Sequence, residues 1–416
     1  MRLFPRAAPI LLAALMAAPV APAAEPLAEV AAPGWEKLDP IVEAGITAKV
    51  YPGAVLVVGQ PGKVLRSRAY GKLTYAEDAA PMQMNTVFDL ASVSKVVGTT
   101  TGAMILVEDG VISPDDLASK YIPGFEANGK ETVTVRDLMT HTSGLKAYEN
   151  KDTVESLRQP GQLNADALIA RYAALKTSYE PRTKSVYSCL NFQTTARIVE
   201  NASGRRLEDL LRERVFGPLG MVDTTYLPSK EALTRTAPTI ERKDGTPLVG
   251  IVHDPLAAYH GSDAHCPGNA GVFSTAADVA RWCEMIANEG ALGDTRVFKP
   301  ETVRLFTTTQ SPANVDAKRG LGFDVWDSKP YTTDLNQQPA DLIVGHTGYT
   351  GTLVWIDKKT KTYMVFFTNR TFPDDATKGK DELSITTVRK QLCDAVLHGL
   401  PEYTDYFAGQ TAAGSD

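Results

Sequence analysis

The stretch FDLASVSKVVG, residues 88–98, places a serine at 92 and a lysine at 95, where a run of apolar residues begins. Residues three apart share one face of a helix, so the Ser92 hydroxyl and the Lys95 ammonium would lie side by side in a first turn. A serine becomes a nucleophile when a base takes its proton, and burial that lowers the pKa of Lys95 would let it take or relay that proton. A serine cap followed by a lysine is also typical of an ordinary helix start, so the spacing leaves both interpretations open.

Beyond this stretch the sequence becomes helical. The first helix is predicted to run from residue 92 to Gly110, and Ser113 followed by Pro114 is typical of the cap and first position of another helix. Further helices are predicted in TVRDLMTHTSG, NADALIARYAAL, NFQTTARIVENASG, RLEDLLRERVFGPLG, TAADVARWCEMIANEG, KPETVRLFTTTQ and DELSITTVRKQLCDAVLHGL. Residues 93–270 are therefore expected to form a mainly helical domain.

Strands are predicted near both ends of the chain. After an amphipathic helix over residues 35–49, GAVLVVGQ and VLRSRAYG form one hairpin, and GTLVWID and TYMVFFTNR form a second one near the end. We expect an α/β domain of residues 35–92 plus 271–400, in which helices flank an antiparallel sheet built from both chain ends. The all-α lobe is then a large helical insertion, and two such lobes leave a cleft between them.

The N-terminus is predicted to be a secretory signal peptide over residues 1–23. Arg2 and Arg6 precede an apolar run that is too short for a stable membrane span, and small residues follow it. Removing the two arginines takes the 43 Lys and Arg to 41, against 49 Asp and Glu, and the net charge from −6 to −8. An acidic chain without a basic run argues against a nucleic-acid partner. We expect a periplasmic or secreted protein with no integral membrane span after signal removal.

Two later motifs change the interpretation of Ser92-Val93-Ser94-Lys95. Tyr187-Ser188-Cys189 stands at the mouth of a predicted helix, and His346-Thr347-Gly348 directly precedes a predicted strand. With these three motifs in order, roughly residues 35–400 resemble the family of serine β-lactamases, penicillin-binding DD-peptidases and family VIII esterases, in particular its class C-like branch. The segments LMTHTSGL and GNAGVFSTAADVARW resemble framework segments of the same branch.

The resemblance implies a β-lactamase/transpeptidase-like fold and a serine hydrolase that forms an acyl-enzyme without a metal or organic cofactor. Ser92 would be acylated, and Lys95 and Tyr187 would share the proton transfers. Tyr187 would be the general base if nearby positive charge lowers the pKa of its phenol. Without the other motifs, Tyr187 would be interpreted as a core aromatic residue.

The resemblance also implies that His346-Thr347-Gly348 faces the substrate. Gly348 would leave room for the substrate along the strand edge, and the backbone N–H groups of Tyr349 and Ser92 would form the oxyanion hole. His346 stands where many relatives carry lysine. Because the charge of a histidine near pH 7 is conditional, His346 should hold an anionic substrate less firmly than lysine.

Cys189 departs from the family pattern, which has asparagine at that position. A thiol replaces a carboxamide donor poorly, so the departure disfavours efficient β-lactam hydrolysis more than it disfavours acylation. A nucleophilic Cys189 has no histidine beside it in the sequence, and Ser92 fits that role better. A disulfide between Cys189 and Cys266 is a further hypothesis for an oxidising compartment, whereas Cys283 and Cys393 are typical of helix cores.

A zinc site is the main rival interpretation. The segment VHDPLAAYHGSDAHC gathers six side chains that can bind metals: His253, Asp254, His260, Asp263, His265 and Cys266. The spacings H-E-x-x-H and paired C-x-x-C are absent, so a polar loop near the cleft accounts for this segment more simply, and no metal is expected.

Three substrates compete within the hydrolase class: small carboxylic esters, D-Ala-D-Ala-type peptides, which would make peptidoglycan a partner, and β-lactams. The HTG motif and Cys189 favour the first two over a dedicated β-lactamase. A penicillin-binding sensor that is acylated and never turns over is the remaining alternative, because deacylation needs a positioned water that a sequence does not reveal.

Overall fold

The structure is a computed structural model that describes residues 27–326, 342–374 and 383–404. The signal peptide expected at residues 1–23 lies outside these ranges. Within them, no helix combines the length and the apolar composition that crossing a bilayer requires.

An antiparallel sheet forms the centre of the fold. The strands of the described ranges are β1 Val30–Ala31, β2 Gly53–Gln60, β3 Lys63–Gly71, β4 Val87–Asp89, β5 Phe273–Thr275, β6 Ala291–Leu292, β7 Thr295–Arg296, β8 Asp324–Trp326, β9 Ile343–Thr347, β10 Leu353–Asp357 and β11 Thr362–Thr368. Seven of them form one sheet in the order β1-β3-β2-β11-β10-β9-β8, with every neighbouring pair antiparallel. The prediction that both chain ends supply the sheet is therefore confirmed, and so are the two hairpins.

Helices surround this sheet. Those of the described ranges are α1 Asp39–Thr47, α2 Thr101–Glu108, α3 Val135–Met139, α4 Lys151–Leu157, α5 Asn164–Ala174, α6 Cys189–Ser203, α7 Leu207–Leu211, α8 Lys230–Leu233, α9 Pro255–His260, α10 Ala276–Ala287, α11 Pro300–Thr307 and α12 Ile385–Leu397. They confirm the predicted helices except the one at Ser113 and the first part of the one predicted from residue 92 to Gly110. The exact domain boundaries at residues 92 and 270 remain a prediction.

Alternation along β2 explains why helices cover both faces of the sheet. Val55 and Val57 belong to one apolar core, and Leu56 and Val58 belong to a second one. Because successive side chains of a strand point to opposite faces, a strand without polar positions must be covered on both sides. Helix α10 packs against β2 and β11, whereas α1 and α12 contribute their apolar residues to the second core.

The predicted helix at Ser113 is wrong. Its N–H donates to Asp116 Oδ2 at 2.8 Å, and its hydroxyl accepts from Asp115 N–H at 3.2 Å, which closes a turn. Short polar side chains that bind nearby backbone groups compete with helix formation in this way. The next helical segment is a short 3₁₀ turn, Ala118–Lys120.

The stretch around residue 92 begins as a strand and ends as a helix. Strand β4 pairs with β5 on one side, and on the other side Val87 N–H donates to Arg235 O at 3.0 Å, so the chain ahead of residue 92 is fixed on both sides. The single helix predicted here is instead a 3₁₀ turn, Ala91–Val93, followed by a π-helical segment, Lys95–Thr100, and then α2. Such π segments are frequent at functional sites.

Candidate active site

Ser92 lies in a backbone turn of unusual conformation. The residue before it, Ala91, has φ +46°, a left-handed conformation that costs energy for a residue with a Cβ. Ala91 N–H donates to Asp89 Oδ1 at 2.8 Å, which holds the turn. The turn leaves Ser92 partly exposed at the cleft, whereas Lys95 is fully buried behind it.

The structure places Lys95 against three groups. Its Nζ donates to Ser92 Oγ at 2.9 Å and to Asn269 O at 2.7 Å, and it lies 3.9 Å from Cys189 Sγ. The serine and lysine of the first motif are therefore in direct contact. Cys189, the residue of the second motif that departs from the family pattern, lies next to this lysine.

Tyr187 completes this group. Its hydroxyl interacts with both Lys95 and Ser92, and Lys95 Nζ lies 4.9 Å from the centre of its ring. His141 holds the chain on either side of it, because His141 O accepts from Val186 N–H at 3.0 Å and His141 Nδ1 accepts from Ser188 N–H at 3.1 Å. The three predicted residues Ser92, Lys95 and Tyr187 thus converge on one point.

His141 is a site neighbour that the sequence did not reveal. It was predicted only as part of a framework segment, but its buried ring lies 4.7 Å from the Tyr187 ring, and its backbone has φ +60°. Burial lowers the pKa of His141 well below its ordinary value. The neutral ring can therefore accept the Ser188 N–H that shapes the start of α6.

The protonation states of Lys95 and Tyr187 bear on which of them could act as a base. Burial lowers the pKa of Lys95, but Cys189, Tyr187 and Asp254 together outweigh it, and the pKa is raised. Although 37% of Tyr187 is exposed, desolvation within the cleft raises the pKa of its phenol more than Lys95 lowers it, so this pKa too is raised. The condition under which either residue would be a base at rest, a lowered pKa, is therefore not met. The site at rest holds an ammonium and a neutral phenol, because burial penalises phenolate more than one cation compensates.

The third motif lies at the end of β9, beside the serine turn. Thr352 Oγ1 donates to Leu90 O at 2.8 Å, and Thr350 Oγ1 donates to Asp89 O at 2.7 Å. A Cβ at Gly348 would collide with Thr352 Oγ1 and Leu90 O. Gly348 was expected only to leave room for a substrate. It also permits the close packing of two protein segments, so the expected reason is incomplete.

His346 is neutral at physiological pH. It is 2% exposed, and burial lowers its pKa to about 4, an effect that Asp324 only partly offsets. Its Nδ1 lies 2.8 Å from Thr347 O, which can only accept, so Nδ1 carries the proton and Nε2 is the unprotonated nitrogen. The ring therefore contributes no charge near pH 7, and the expectation that His346 holds an anionic substrate less firmly than lysine remains a prediction.

A cleft of about 430 Å³ opens in front of these groups. Its lining includes residues from all three motifs and further residues that the sequence did not single out: Ser92, Tyr187, Arg319, Asp324, His346, Thr347, Gly348, Tyr349, Arg370, Ile385, Thr386 and Arg389. Tyr349 is 56% exposed, so a large aromatic surface stands at the rim.

Three arginines give the cleft its charge. Arg319 pairs with Asp324, and its guanidinium lies 5.6 Å from the centre of the Tyr187 ring. Arg370 lies 4.9 Å from the Tyr349 ring, and Arg389 Nη2 donates to Gly348 O at 2.9 Å and to Thr352 O at 2.8 Å. Among the described residues that line the cleft, one carboxylate stands against three guanidinium groups, so this part of the lining is net positive.

The structure shows neither a disulfide between Cys189 and Cys266 nor a zinc site in residues 252–266. All four cysteines are free thiols, so the hypothesis of a Cys189–Cys266 disulfide is wrong for this structure. Cys266 is buried, and its N–H donates to Glu200 at 3.0 Å. In the described ranges, no three His, Cys, Asp or Glu side chains are placed to hold a metal ion. His265 instead contacts Glu200 at 2.6 Å, and Asp254 caps α9.

Known proteins resemble this chain in sequence and in fold. The family model described as Beta-lactamase matches residues 38–386. An Escherichia coli (strain K12) protein named "Putative D-alanyl-D-alanine carboxypeptidase" is 29% identical over 349 residues, which cover 77% of this chain and 79% of that protein. The N-acetylmuramyl-L-alanine amidase of Bacillus subtilis (strain 168) is 30% identical over 360 residues, 80% of each chain. The crystal structure of a family VIII carboxylesterase shares the fold with a TM-score of 0.69 at 21% identity, covering 90% of this chain and 99% of that one.

Proposed function

The chain belongs to the β-lactamase family of serine hydrolases, and from that premise we propose that it hydrolyses D-Ala-D-Ala-type peptides through an acyl-enzyme on Ser92. The observation that carries the assignment of the site is the convergence of Ser92, Lys95 and Tyr187 on one point at the cleft. A half-exposed hydroxyl backed by a buried cation and a phenol is what an acyl-transfer nucleophile requires.

The protonation states suggest a relay. Ser92 Oγ bonds to the substrate carbonyl carbon as its proton passes to the Tyr187 hydroxyl, which gives its own proton to the leaving group as the scissile bond breaks. The Lys95 ammonium stabilises the negative charge that develops on these oxygens. Water then repeats the sequence on the acyl-enzyme, which releases the carboxylic acid and restores Ser92.

The backbone N–H groups of Ser92 and Tyr349 are proposed as the oxyanion hole. The packing of Gly348 against Leu90 O and the bonds from Thr350 and Thr352 hold the two segments together. This attachment supports a fixed distance between the two donors, and such preorganisation is what makes an oxyanion hole effective.

The charge of the cleft supports a substrate that carries a carboxylate. His346 cannot supply positive charge at neutral pH, but Arg319 and Arg370 line the same cleft. A guanidinium binds a carboxylate through two parallel hydrogen bonds, and the terminal carboxylate of a D-Ala-D-Ala peptide fits that role. The name of the Escherichia coli relative points to the same substrate class.

A simple ester is the second candidate. Cys189 occupies a position next to Lys95 where the family pattern has a carboxamide, so the site lacks one amide donor for a peptide or a β-lactam. An ester needs less assistance at its leaving group, and the fold is shared with a carboxylesterase.

The cellular location is part of the proposal. A signal peptide over residues 1–23 and a cell-wall substrate both imply a periplasmic or secreted protein. Fractionation of the producing cells, with the mature N-terminus sequenced, tests this. A chain that begins at residue 24 outside the cytoplasm is expected, and an uncleaved cytoplasmic chain contradicts it.

Three substrates followed over time by intact-protein mass spectrometry test the function: an N-acylated D-Ala-D-Ala peptide, p-nitrophenyl acetate and a fluorescent penicillin. We expect D-Ala release with a transient adduct, and a longer-lived penicillin adduct. Turnover of the ester alone would replace the peptidase by the esterase. A permanent adduct without any product would indicate a sensor. The Ser92→Ala variant is the control for background hydrolysis.

A further inference from the structure

A buried ammonium needs a compensating charge, and Lys95 is fully buried. The groups in direct contact with its Nζ are Ser92 Oγ, Asn269 O, Cys189 Sγ and the Tyr187 hydroxyl, and none of them is a carboxylate. Asn269, however, connects this ammonium to a carboxylate outside its direct contacts, that of Asp254.

The Asn269 side chain is fixed at both ends of its amide. Its Nδ2 donates to Asp254 Oδ1 at 3.2 Å, and its Oδ1 accepts from Gln193 Nε2 at 2.7 Å. Gln193 Oε1 in turn accepts from Tyr172 OH at 2.5 Å. This chain of buried polar groups determines where the carbonyl that holds Lys95 lies.

Asp254 is itself held in one orientation. Its Oδ1 accepts from the N–H groups of Leu256 at 3.1 Å and Ala257 at 2.8 Å, as the N-cap of α9, and its Oδ2 lies 3.4 Å from Tyr148 OH. The cap explains why an aspartate or an asparagine stands here. It does not explain why the cap also binds the residue that holds Lys95.

We propose that Asp254 is a positioning residue of the reaction: through Asn269 it fixes the carbonyl that binds the Lys95 ammonium, and its carboxylate supplies the charge that balances that ammonium. The inference rests on the proposed function, since it gives the relay its resting state.

The other titratable groups that face Lys95 support this assignment. They are Tyr187 and Cys189 at the start of α6, His141 after α3 and His346 on β9. Burial keeps both histidines neutral at pH 7 by lowering their pKa, and keeps Tyr187 neutral by raising its pKa. Cys189 and Tyr187, and after them Asp254, raise the pKa of Lys95, and Asp254 is the carboxylate among these three.

The test is Asp254→Asn, which keeps the cap and the hydrogen bonds of α9 while it removes the charge. We expect kcat for p-nitrophenyl acetate to fall about 10-fold, with KM changed by less than about 2-fold, because the relay and not substrate contact is affected. The limb of the pH–kcat profile that Lys95 governs should move at least about half a pH unit toward lower pH, because the ammonium loses a favourable charge.

The matched control is Asp263→Asn, which removes an exposed carboxylate from the same segment. Its pH profile should superimpose on that of the wild type, and thermal melting should confirm that both variants fold. An Asp254→Asn profile unmoved in pH would overturn the inference even if the rate fell, because a structural role moves the rate alone. If wild type and Ser92→Ala hydrolyse the ester equally, the proposed function fails, and this inference with it.

Discussion

The two sides of the cleft are built differently. On one side, Lys95 is fully buried and is held by fixed partners that lead through Asn269 to Asp254. On the other side, Tyr349 is more than half exposed at the rim beside Arg370. The position of Lys95 is set by contacts within the protein. Tyr349 and Arg370 instead present an aromatic and a cationic group to a substrate that enters the cleft.

This difference indicates a division of tasks. Groups whose partners are all internal set the reactivity of Ser92 and should affect every substrate alike. Groups that line the open wall should affect one substrate relative to another, because they contact the parts of the substrate that do not react. Substitutions on the two sides should therefore differ in how strongly their effect depends on the substrate.

Ser92→Ala is expected to have the largest effect. Removal of the nucleophile should reduce turnover of peptide, ester and penicillin alike to the uncatalysed level. Steady-state rates with all three substrates check this, and Ser94→Ala is the neighbouring control. Residual turnover of one substrate above background would show that it uses another nucleophile.

Lys95→Ala and Tyr187→Phe should each lower kcat at least about 100-fold, the usual scale for loss of a group that transfers a proton or stabilises charge in the transition state. The loss should be similar for the ester and the peptide, because Tyr187 transfers the Ser92 proton and Lys95 stabilises the charge that develops during that transfer. A loss of only a few-fold, or one confined to a single substrate, would remove that residue from the relay.

Arg370→Ala should act on one class of substrate. We expect KM for the D-Ala-D-Ala peptide to rise about 10-fold, the scale of one lost charge-assisted hydrogen bond, with little change for the uncharged ester. Arg370→Lys keeps the charge and loses the paired hydrogen bonds of the guanidinium, so its KM for the peptide should lie between those of the wild type and Arg370→Ala. An equal change for both substrates would mean that Arg370 supports the fold of the wall and does not select the substrate.

Cys189→Asn should have a smaller effect. A carboxamide beside Lys95 adds a donor that the thiol lacks, so penicillin turnover should rise about 3-fold or more, on the scale of a single net hydrogen bond. Cys189→Ser is the control of similar size. Unchanged or reduced turnover in Cys189→Asn would contradict our explanation of this departure from the family pattern.

His346→Gln should leave the pH–activity profile between pH 6 and 8 unchanged, because burial keeps this histidine neutral there, with a pKa of about 4. The free energy of unfolding should respond instead. The unfolded histidine binds a proton below about pH 6.5 and the folded one only near pH 4, so its contribution is present above pH 6.5 and is lost as the pH falls. That loss amounts to about 3 kcal/mol at most.

Urea denaturation of wild type and His346→Gln at pH 7, 5.5 and 4.5 measures this contribution. The advantage of the wild type should shrink as the pH falls. A difference in stability that does not vary with pH would show that the buried ring titrates as it does in water.

Most of the side of the cleft that carries Ser92 and Lys95 could be predicted from the sequence, because its chemistry is encoded in short motifs. The three-residue spacing of Ser92 and Lys95 brings their side chains into contact even though the segment is a 3₁₀ turn and a π segment instead of a regular helix. The second motif, too, lies where it was expected. The apolar alternation of the strands predicted the sheet in the same local way.

The opposite side of the cleft, with its arginines, and the pKa values of the site could not be predicted in this way. Arg319, Arg370 and Arg389 reach the cleft from three separate segments, and nothing in their local sequence marks them. The pKa shifts of Lys95 and His346 could not be predicted for the same reason, since burial and charges distant in the sequence determine those values. Similarly, the turn at Ser113 depends on which polar side chain captures a backbone N–H.

Identification of the acylated residue tests these conclusions most directly. The wild-type protein is incubated with a fluorescent penicillin, quenched in acid, digested and mapped by fragment-ion mass spectrometry. We predict one acyl group on Ser92, none on the fully buried Ser94 two residues away, and no labelled peptide from Ser92→Ala. An adduct on Cys189, or undiminished labelling of the Ser92→Ala variant, would contradict the assignment of the nucleophile and the mechanism built on it.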